Sequence, residues 1–264
     1  ILLLGENMKA KKERIQILDE LRGFAILAMV VHHFFLAVYV VLGADWGLKI
    51  FNDLCVVQPL FWAIFIIISG ICSRLSRNTV KRGIIVFCGG LIITFVTAVI
   101  MPKFGYDEEQ IYFGILSCLG SCMIITGLIM PVIQKIKPLV GMAISAVLFL
   151  FFYGISDGSL CFGLIKLPEI KTNYFMPLGL YNYDFFSADY FAILPWIFML
   201  LFGAFVGKYA KDGSFPRWTY KQHSKVLSFA GRNSLWIYLL HQAALYGLLS
   251  IFIGILQIYV KIKM

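Results

Sequence analysis

Two adjacent histidines, His32 and His33, lie near the centre of a long apolar stretch that begins close to Arg22. Ionisable residues inside a stretch that can cross a membrane are costly, which makes them functional candidates. At about 100° per residue, His33 shares a helical face with Arg22, whereas His32 points elsewhere. A neutral imidazole there can act as a general base or as a nucleophile. For either histidine alone, an interhelical hydrogen bond is the simpler interpretation.

A third histidine, His241, lies in the last apolar stretch of the chain. By the same helical arithmetic it shares a face with Ser234 and Tyr238. We therefore expect His241, together with Asn233 and Ser234, to orient the central imidazole or to polarise a carbonyl group. As for the others, an interhelical hydrogen bond remains the alternative.

The elements that position these histidines are predicted to be transmembrane helices. The chain is 60% hydrophobic and only 14% charged, far from the balance of a soluble domain. Its apolar blocks are each long enough to cross the hydrocarbon core, and they lack the alternation that strands of a barrel would show. The predicted fold is an all-α, polytopic bundle of about seven helices. The predicted spans are 21–43, 54–72, 83–101, 112–133, 139–155, 190–209 and 233–258, and the fifth is short enough to be broken.

The distribution of basic residues predicts the orientation of this bundle. With the N-terminus in the cytoplasm, 17 of the 23 Lys and Arg residues fall on the inner side and six on the outer side. The positive-inside rule therefore favours a cytoplasmic N-terminus and an odd number of spans. The net charge of +9 follows from this topology and does not indicate a nucleic-acid partner.

The short inner loop at 73–82 is strongly basic and follows Ser69 and Gly70. Its simplest role is to anchor the inner side, but side chains of this kind at the start of a helix can also hold phosphate. The sequence has no Walker or Rossmann glycine pattern, which argues against ATP hydrolysis and dinucleotide chemistry. The candidate phosphate ligands are Arg22, Arg74, Arg77, Lys81 and Arg82.

The outer loop at about 156–189 is the longest connection and is rich in aromatic residues. A loop of this length in a compact protein is more often functional than idle. Its candidate ligand-binding residues are Asp184, Asp189 and Tyr190.

Several short motifs, taken together and in order, resemble the heparan-alpha-glucosaminide N-acetyltransferase catalytic-domain family, a group of membrane acyltransferases related to the acyltransferase-3 superfamily. They span about residues 14–250. Two positions differ from the family pattern. The first outer loop, at 43–53, lacks a histidine that another family member carries there, and Ser117 stands where many bacterial relatives have a histidine. The motifs are 18–27 (LDELRGFAIL), 69–72 (SGIC) with 76–78 (SRN) and 81–83 (KRG), 113–116 (FGIL) with 119–120 (LG), 189–191 (DYF) with 194–196 (LPW) and 203–208 (GAFVGK), and 231–235 (GRNSL) with 237–238 (IY) and His241.

The resemblance implies transfer of an acyl group, typically acetyl, from cytoplasmic acetyl-CoA to a sugar amine or hydroxyl on the far side of the membrane. His33 matches the first-helix histidine of the wider superfamily pattern, and His32 is its neighbour. One alternative is a small proton-coupled transporter or flippase, which midplane histidines and basic inner loops also suit. Another is an inactive accessory subunit of an envelope-polymer pathway.

The predicted organisation is a cytoplasmic tail at 1–13 followed by one transmembrane acyltransferase-like domain at 14–260. We expect a multi-pass protein of the bacterial cytoplasmic membrane. The cysteines have no His or carboxylate at metal-ligand spacing, so no metal is expected. Small residues that face lipid are compatible with a homodimer.

Overall fold

The computed structural model describes residues 14–104 and 110–263, so the predicted tail at 1–13 lies outside the described residues. The described part contains ten α-helices. They are α1 (Gln16–Leu42), α2 (Asp45–Leu54), α3 (Gln58–Leu75), α4 (Thr79–Phe95), α5 (Ile115–Leu128), α6 (Met130–Ile133), α7 (Pro138–Phe152), α8 (Ile193–Asp212), α9 (Lys225–Arg232) and α10 (Ser234–Lys263).

Six of the described helical segments are long and apolar enough to cross a membrane, which confirms the all-α, polytopic fold class. They are Gln16–Leu42, Gln58–Leu75, Thr79–Lys103, Pro138–Asp157, Ile193–Asp212 and Ser234–Tyr259. A shorter apolar helix, Ile115–Leu128, occupies the predicted fourth span. The chain is thus a multi-pass membrane protein with about the predicted number of crossings.

Three details differ from the predicted spans. The fourth span, not the fifth, is broken: α5 ends at Leu128 and α6 begins at Met130, where Pro131 sits near the start of the new helix and cannot donate a backbone hydrogen bond. The fifth is continuous from Pro138 to Phe152. The first helix begins at Gln16, so Arg22 lies well inside it rather than at its start.

The helices pack closely where glycine removes the side chain from an interface. A Cβ atom on Gly70 of α3 would overlap the backbone of Leu200 in α8, and one on Gly203 would overlap the backbone of Ile67. Because both α3 and α8 run from the side of the long loop to the side of the basic loop, this is a parallel pair. The buried cluster beside it joins α3, α5 and α8 through Ile66, Leu119 and Leu200.

Two short amphipathic helices were not predicted. The α2 helix, at 45–54, lies between the first two spans, and α9, at 225–232, precedes the last span. Both are shorter than a membrane crossing, and both carry polar residues among apolar ones, so hydropathy alone assigns them to loops.

The long connection before α8 has regular secondary structure of its own. It contains a two-stranded antiparallel hairpin, β1 (Ser159–Leu160) and β2 (Ile165–Lys166). We call the end of the bundle that carries this hairpin the loop face, and the end that carries 73–82 the basic face. On the loop face, Ala188 and Phe191 donate backbone hydrogen bonds to Gln110 and Phe113. These bonds fix the end of the connection against the start of α5.

Candidate active site

The first and last spans meet through a pair of histidines. His33 Nδ1 of α1 lies 2.7 Å from His241 Nε2 of α10, and the two imidazole rings are stacked with centroids 5.0 Å apart. His241 Nδ1 in turn lies 2.6 Å from the backbone carbonyl oxygen of Tyr238. The structure therefore joins two residues that are 208 positions apart in the sequence.

These contacts assign the protons of the neutral pair. A carbonyl oxygen only accepts, so His241 Nδ1 carries its proton and donates it to Tyr238. His241 Nε2 is then the acceptor, and His33 Nδ1 donates to it. It follows that His33 Nε2 carries a lone pair. We call this chain of Tyr238 carbonyl, His241 and His33 the histidine relay.

The neighbouring His32 makes different contacts. Its Nε2 donates to the backbone carbonyl oxygen of Phe51 at 3.2 Å, and its ring lies against the Phe51 ring with centroids 4.1 Å apart. The Cys55 sulfur is also 3.6 Å from Nε2. His32 Nδ1 is buried and has no hydrogen-bond partner among the described residues. His32 therefore fastens α2 to α1 rather than joining the histidine relay.

Asp189 and Tyr238 connect the loop face to the histidine relay. The Tyr238 hydroxyl donates to Asp189 Oδ2 at 3.0 Å, and the backbone N–H of Ile115, at the start of α5, donates to the same oxygen at 3.4 Å. A carboxylate at a helix N-terminus is favoured by the helix dipole. Burial raises the pKa of the Asp189 carboxyl, and the hydrogen bonds from Tyr238 and Ile115 act against that rise.

Arg22 lies between α1 and α3. Its guanidinium donates to Cys72 Sγ at 3.0 Å and lies 3.7 Å from Asp19 Oδ1. Asp19 also pairs with Arg14, whose pKa is raised chiefly by that hydrogen bond. Arg22 is therefore largely enclosed by protein groups.

The basic residues of the inner loop at 73–82 do not all lie at one point. Arg74 is buried: its guanidinium contacts Met130 Sδ at 3.6 Å, and its Nε has no hydrogen-bond partner among the described residues. Cys72, which Arg22 contacts, is two residues before Arg74 on α3, and so about 200° away around that helix. Arg22 and Arg74 hence lie on opposite sides of α3, whereas Arg77, Lys81 and Arg82 are exposed on the basic face.

The remaining predicted site residues lie apart from the histidine relay. Asn233 donates its side-chain amide to the Phe229 carbonyl oxygen, and Ser234 is buried at the start of α10, seven residues and about 10 Å before His241. At the loop face, Tyr190 donates its hydroxyl to the Met176 carbonyl oxygen, and Asp184 is exposed. Burial raises the pKa of Tyr190.

Glu20 has a structural role that was not predicted from the sequence. Its Oε1 accepts hydrogen bonds from the backbone N–H groups of His223 and Ser224, at 2.7 and 2.9 Å, and from the Ser228 hydroxyl at 3.2 Å. It thereby satisfies donors at the start of α9. The available signal in the sequence was an acidic residue near the start of an apolar helix, but the partners of that residue lie about 200 positions away along the chain.

Two of the quoted motifs pack against each other through this helix. A Cβ atom on Gly23 of α1 would overlap the backbone of Leu227, and one on Gly231 of α9 would overlap the Asp19 carbonyl group. The stretch at 18–27 and the stretch at 231–235 therefore form one interface. That interface sets the position of α10, and with it His241, relative to α1.

The long apolar helices, joined at their first and last members by a histidine pair, define a multi-pass membrane protein with a polar centre. The sequence model of the family described as heparan-alpha-glucosaminide N-acetyltransferase, catalytic, matches residues 14–243. The chain belongs to this family. Membership implies a membrane-bound N-acetyltransferase that uses acetyl-CoA as its donor. Searches of curated proteins and of solved structures found no match.

Proposed function

We propose that the protein transfers the acetyl group of acetyl-CoA, bound from the basic face, to an amine or hydroxyl group presented from the loop face, with His33 as the general base. The observation that carries this proposal is the histidine relay, because it leaves His33 Nε2 as an unprotonated nitrogen at the junction of α1 and α10. An imidazole held in one tautomer by a second group is the usual arrangement of a catalytic base.

The chemistry follows from that proton assignment. The acceptor nitrogen or oxygen attacks the thioester carbonyl carbon, and His33 Nε2 takes the proton that the acceptor loses. His33 is then an imidazolium whose Nδ1–H still donates to His241 Nε2. When the carbon–sulfur bond breaks, the proton passes to the departing sulfur, which gives free CoA and the acetylated acceptor. His241 is a positioning residue in this scheme.

The donor is proposed to bind through its phosphates on the basic face. Arg77, Lys81 and Arg82 are exposed there, beside the start of α4, where Asn78 accepts the backbone N–H of Lys81 at 2.9 Å. Charge-assisted hydrogen bonds from Arg and Lys suit phosphate. Arg74, three residues before Arg77, is buried with an Nε that has no hydrogen-bond partner in the described part of the chain, which favours an anionic ligand. Arg22 is enclosed by Asp19 and Cys72, so its proposed part is to shape the entry between α1 and α3.

The acceptor is proposed to bind at the loop face. Tyr174 and Tyr183 are almost fully exposed there, and Asp184 is exposed between the aromatic residues. Rings and a carboxylate of this kind can contact the face and the hydroxyl groups of a sugar. Asp189 and Tyr190 already bond to protein groups, so we propose that they hold the loop and Tyr238 in place.

The proposal is tested by measuring binding of acetyl-CoA to the purified protein and release of free thiol in the presence of an amine acceptor. Arg77→Ala is expected to weaken binding by about tenfold, the worth of one charge-assisted contact. The matched control is Lys171→Ala, which removes one positive charge from the loop face and should leave binding unchanged. If neither the wild type nor the control binds acetyl-CoA or releases thiol, the proposal is wrong.

A further inference from the structure

A cavity of about 300 Å³ lies beside the histidine relay, between α1, α3, α5 and α10. Its lining residues are apolar except for His32, Gln58 and Tyr238, and none of these described residues carries a formal charge. The volume falls within the range of small-molecule sites. The cavity therefore has room for a ligand, but it offers no partner for phosphate.

The cavity opens sideways toward the hydrocarbon of the membrane. Phe24 and Val31 of α1 line it and are 47% and 52% exposed, and Val57, just before α3, lines it and is 43% exposed. Phe24 and Val31 lie within a helix that crosses the membrane, so the medium in contact with them is lipid chains. A hydrocarbon chain can therefore enter without passing through water.

The shape of the cavity matches the direction of a lipid chain. Along α1 the cavity extends from Phe24 to His32, a rise of about 12 Å. The end of the cavity at His32 also includes Gln58, which is at the start of α3. Gln58 is at the loop face, so a lipid of that leaflet would place its head group near Gln58 and its chain along α1. At the same end, His32 is 4% exposed and its Nδ1 lacks a hydrogen-bond donor among the described residues. A ligand with an O–H or N–H group near that end is favoured.

The cavity lies next to the proposed base, although His33 and His241 themselves do not line it. Tyr238 lines it and is the residue whose carbonyl fixes the histidine relay, and the His32 and His33 ring centroids are 5.7 Å apart. A head group beside His32 would therefore lie close to the proposed base.

We propose that this cavity holds the hydrocarbon chain of a membrane lipid whose head group bears the acceptor amine or hydroxyl. The acceptor is thus a lipid rather than a sugar free in water. This proposal rests on the proposed acetyl transfer for the role of the head group, but the lipid site itself does not depend on catalysis. The pantetheine arm of the donor is a poorer occupant, since its two amide groups would have few polar partners among these walls.

Occupancy can be measured with Trp62, which lines the cavity. In a variant that keeps Trp62 and replaces the other four tryptophans by Phe, fluorescence is compared in nanodiscs of phosphatidylcholine with and without bromine atoms at mid-chain. Strong quenching by bromine is expected. Ala28→Phe, which fills the cavity, should reduce the quenching several-fold. The matched control is Ala143→Phe on the exposed surface of α7, which should leave it unchanged.

The nature of the acceptor is tested with radiolabelled acetyl-CoA, vesicles of native polar lipids and D-glucosamine in the buffer. Label should enter the organic extract, and Ala28→Phe, but not Ala143→Phe, should reduce it several-fold. Quenching that Ala28→Phe does not change overturns the lipid site. Label found only in aqueous glucosamine overturns the lipid acceptor. Absence of label in both phases overturns the proposed acetyl transfer and the acceptor assignment with it, while the quenching still decides the lipid site.

Discussion

At the scale of single residues, the two adjacent histidines have separate tasks because of their partners. His32 donates to a backbone carbonyl of α2, whereas His33 donates to another histidine and keeps a lone pair on Nε2. Helical arithmetic predicted that the two rings point in different directions. It could not predict which one meets His241, because that contact depends on the packing of α1 against the α9–α10 segment.

His241 offers a test of the relay itself. In His241→Gln, the side-chain carbonyl oxygen can still accept from His33 Nδ1, whereas His241→Ala leaves that donor without a partner. We expect the glutamine variant to keep more of the turnover number than the alanine variant, with similar affinity for acetyl-CoA in both. Steady-state kinetics of the two variants measure this difference, and equal turnover would show that the relay does not position His33.

Asp189 gives a prediction for stability against pH. Its pKa is raised by burial, so the unfolded chain loses this proton first as pH rises. The folded state accordingly loses stability from about pH 4, the ordinary range of aspartate, until the folded pKa is passed. Asp189→Asn keeps an acceptor for the Tyr238 hydroxyl and removes the charge, so its Tm should vary less with pH and should be at least that of the wild type at about pH 8.

The measurement is thermal unfolding in detergent across that pH range, with wild type and Asp189→Asn compared in the same buffers. A Tm that is lower for Asp189→Asn at every pH would mean that the carboxylate itself stabilises the fold. In that case the hydrogen bonds from Tyr238 and Ile115 would outweigh the cost of burial.

At the scale of elements, the interface of α1 with α9 positions the site. Gly231→Ala would force a Cβ atom into the Asp19 carbonyl group, and overpacking of this kind costs about 1–3 kcal/mol. We expect a lower Tm and, because α10 follows α9 directly, a lower turnover number. Gly254→Ala is the control, since a Cβ atom there meets nothing within 4 Å. Equal Tm values for the two variants would contradict the close contact.

Hydropathy predicted most elements because a membrane span needs a long apolar run, and those runs are plain in the sequence. It did not predict α2 and α9, which are too short to cross and whose stability comes from contacts with α1. The Phe51 carbonyl holds α2 to His32, and Glu20 holds the start of α9. The first contact joins residues 19 positions apart and the second joins residues 203 positions apart, and the sequence gives no direct measure of such contacts.

At the scale of the whole molecule, the distribution of charge predicts that the basic face is cytoplasmic. This is testable with single cysteines at Arg77→Cys and Lys171→Cys in a chain whose six native cysteines are replaced. A maleimide that does not cross membranes should label the Lys171→Cys protein in intact cells and the Arg77→Cys protein only after permeabilisation. The reverse pattern would place the donor site on the wrong side for cytoplasmic acetyl-CoA.

The site as a whole was predicted less well than the fold. Sequence patterns selected His33, His241 and the basic loop, and the structure brings the two histidines together. They did not show that Arg22 and Arg74 lie on opposite sides of α3, or that Asp189 bonds to Tyr238. These features depend on how the membrane-spanning helices are arranged around one another, whereas periodicity describes only one helix at a time.

The most direct test of the account is a matched pair of substitutions at the adjacent histidines. Single-turnover acetyl transfer is measured with His33→Gln and His32→Gln, alongside the dissociation constant for acetyl-CoA. Glutamine at 32 can still donate to the Phe51 carbonyl, whereas glutamine at 33 has no basic nitrogen. We predict that His33→Gln slows transfer by about 10²–10⁴-fold, the usual worth of a general base, with unchanged binding, and that His32→Gln stays within about tenfold of the wild type. Full transfer by His33→Gln, or equal losses in the two variants, would contradict the assignment of His33 as the base.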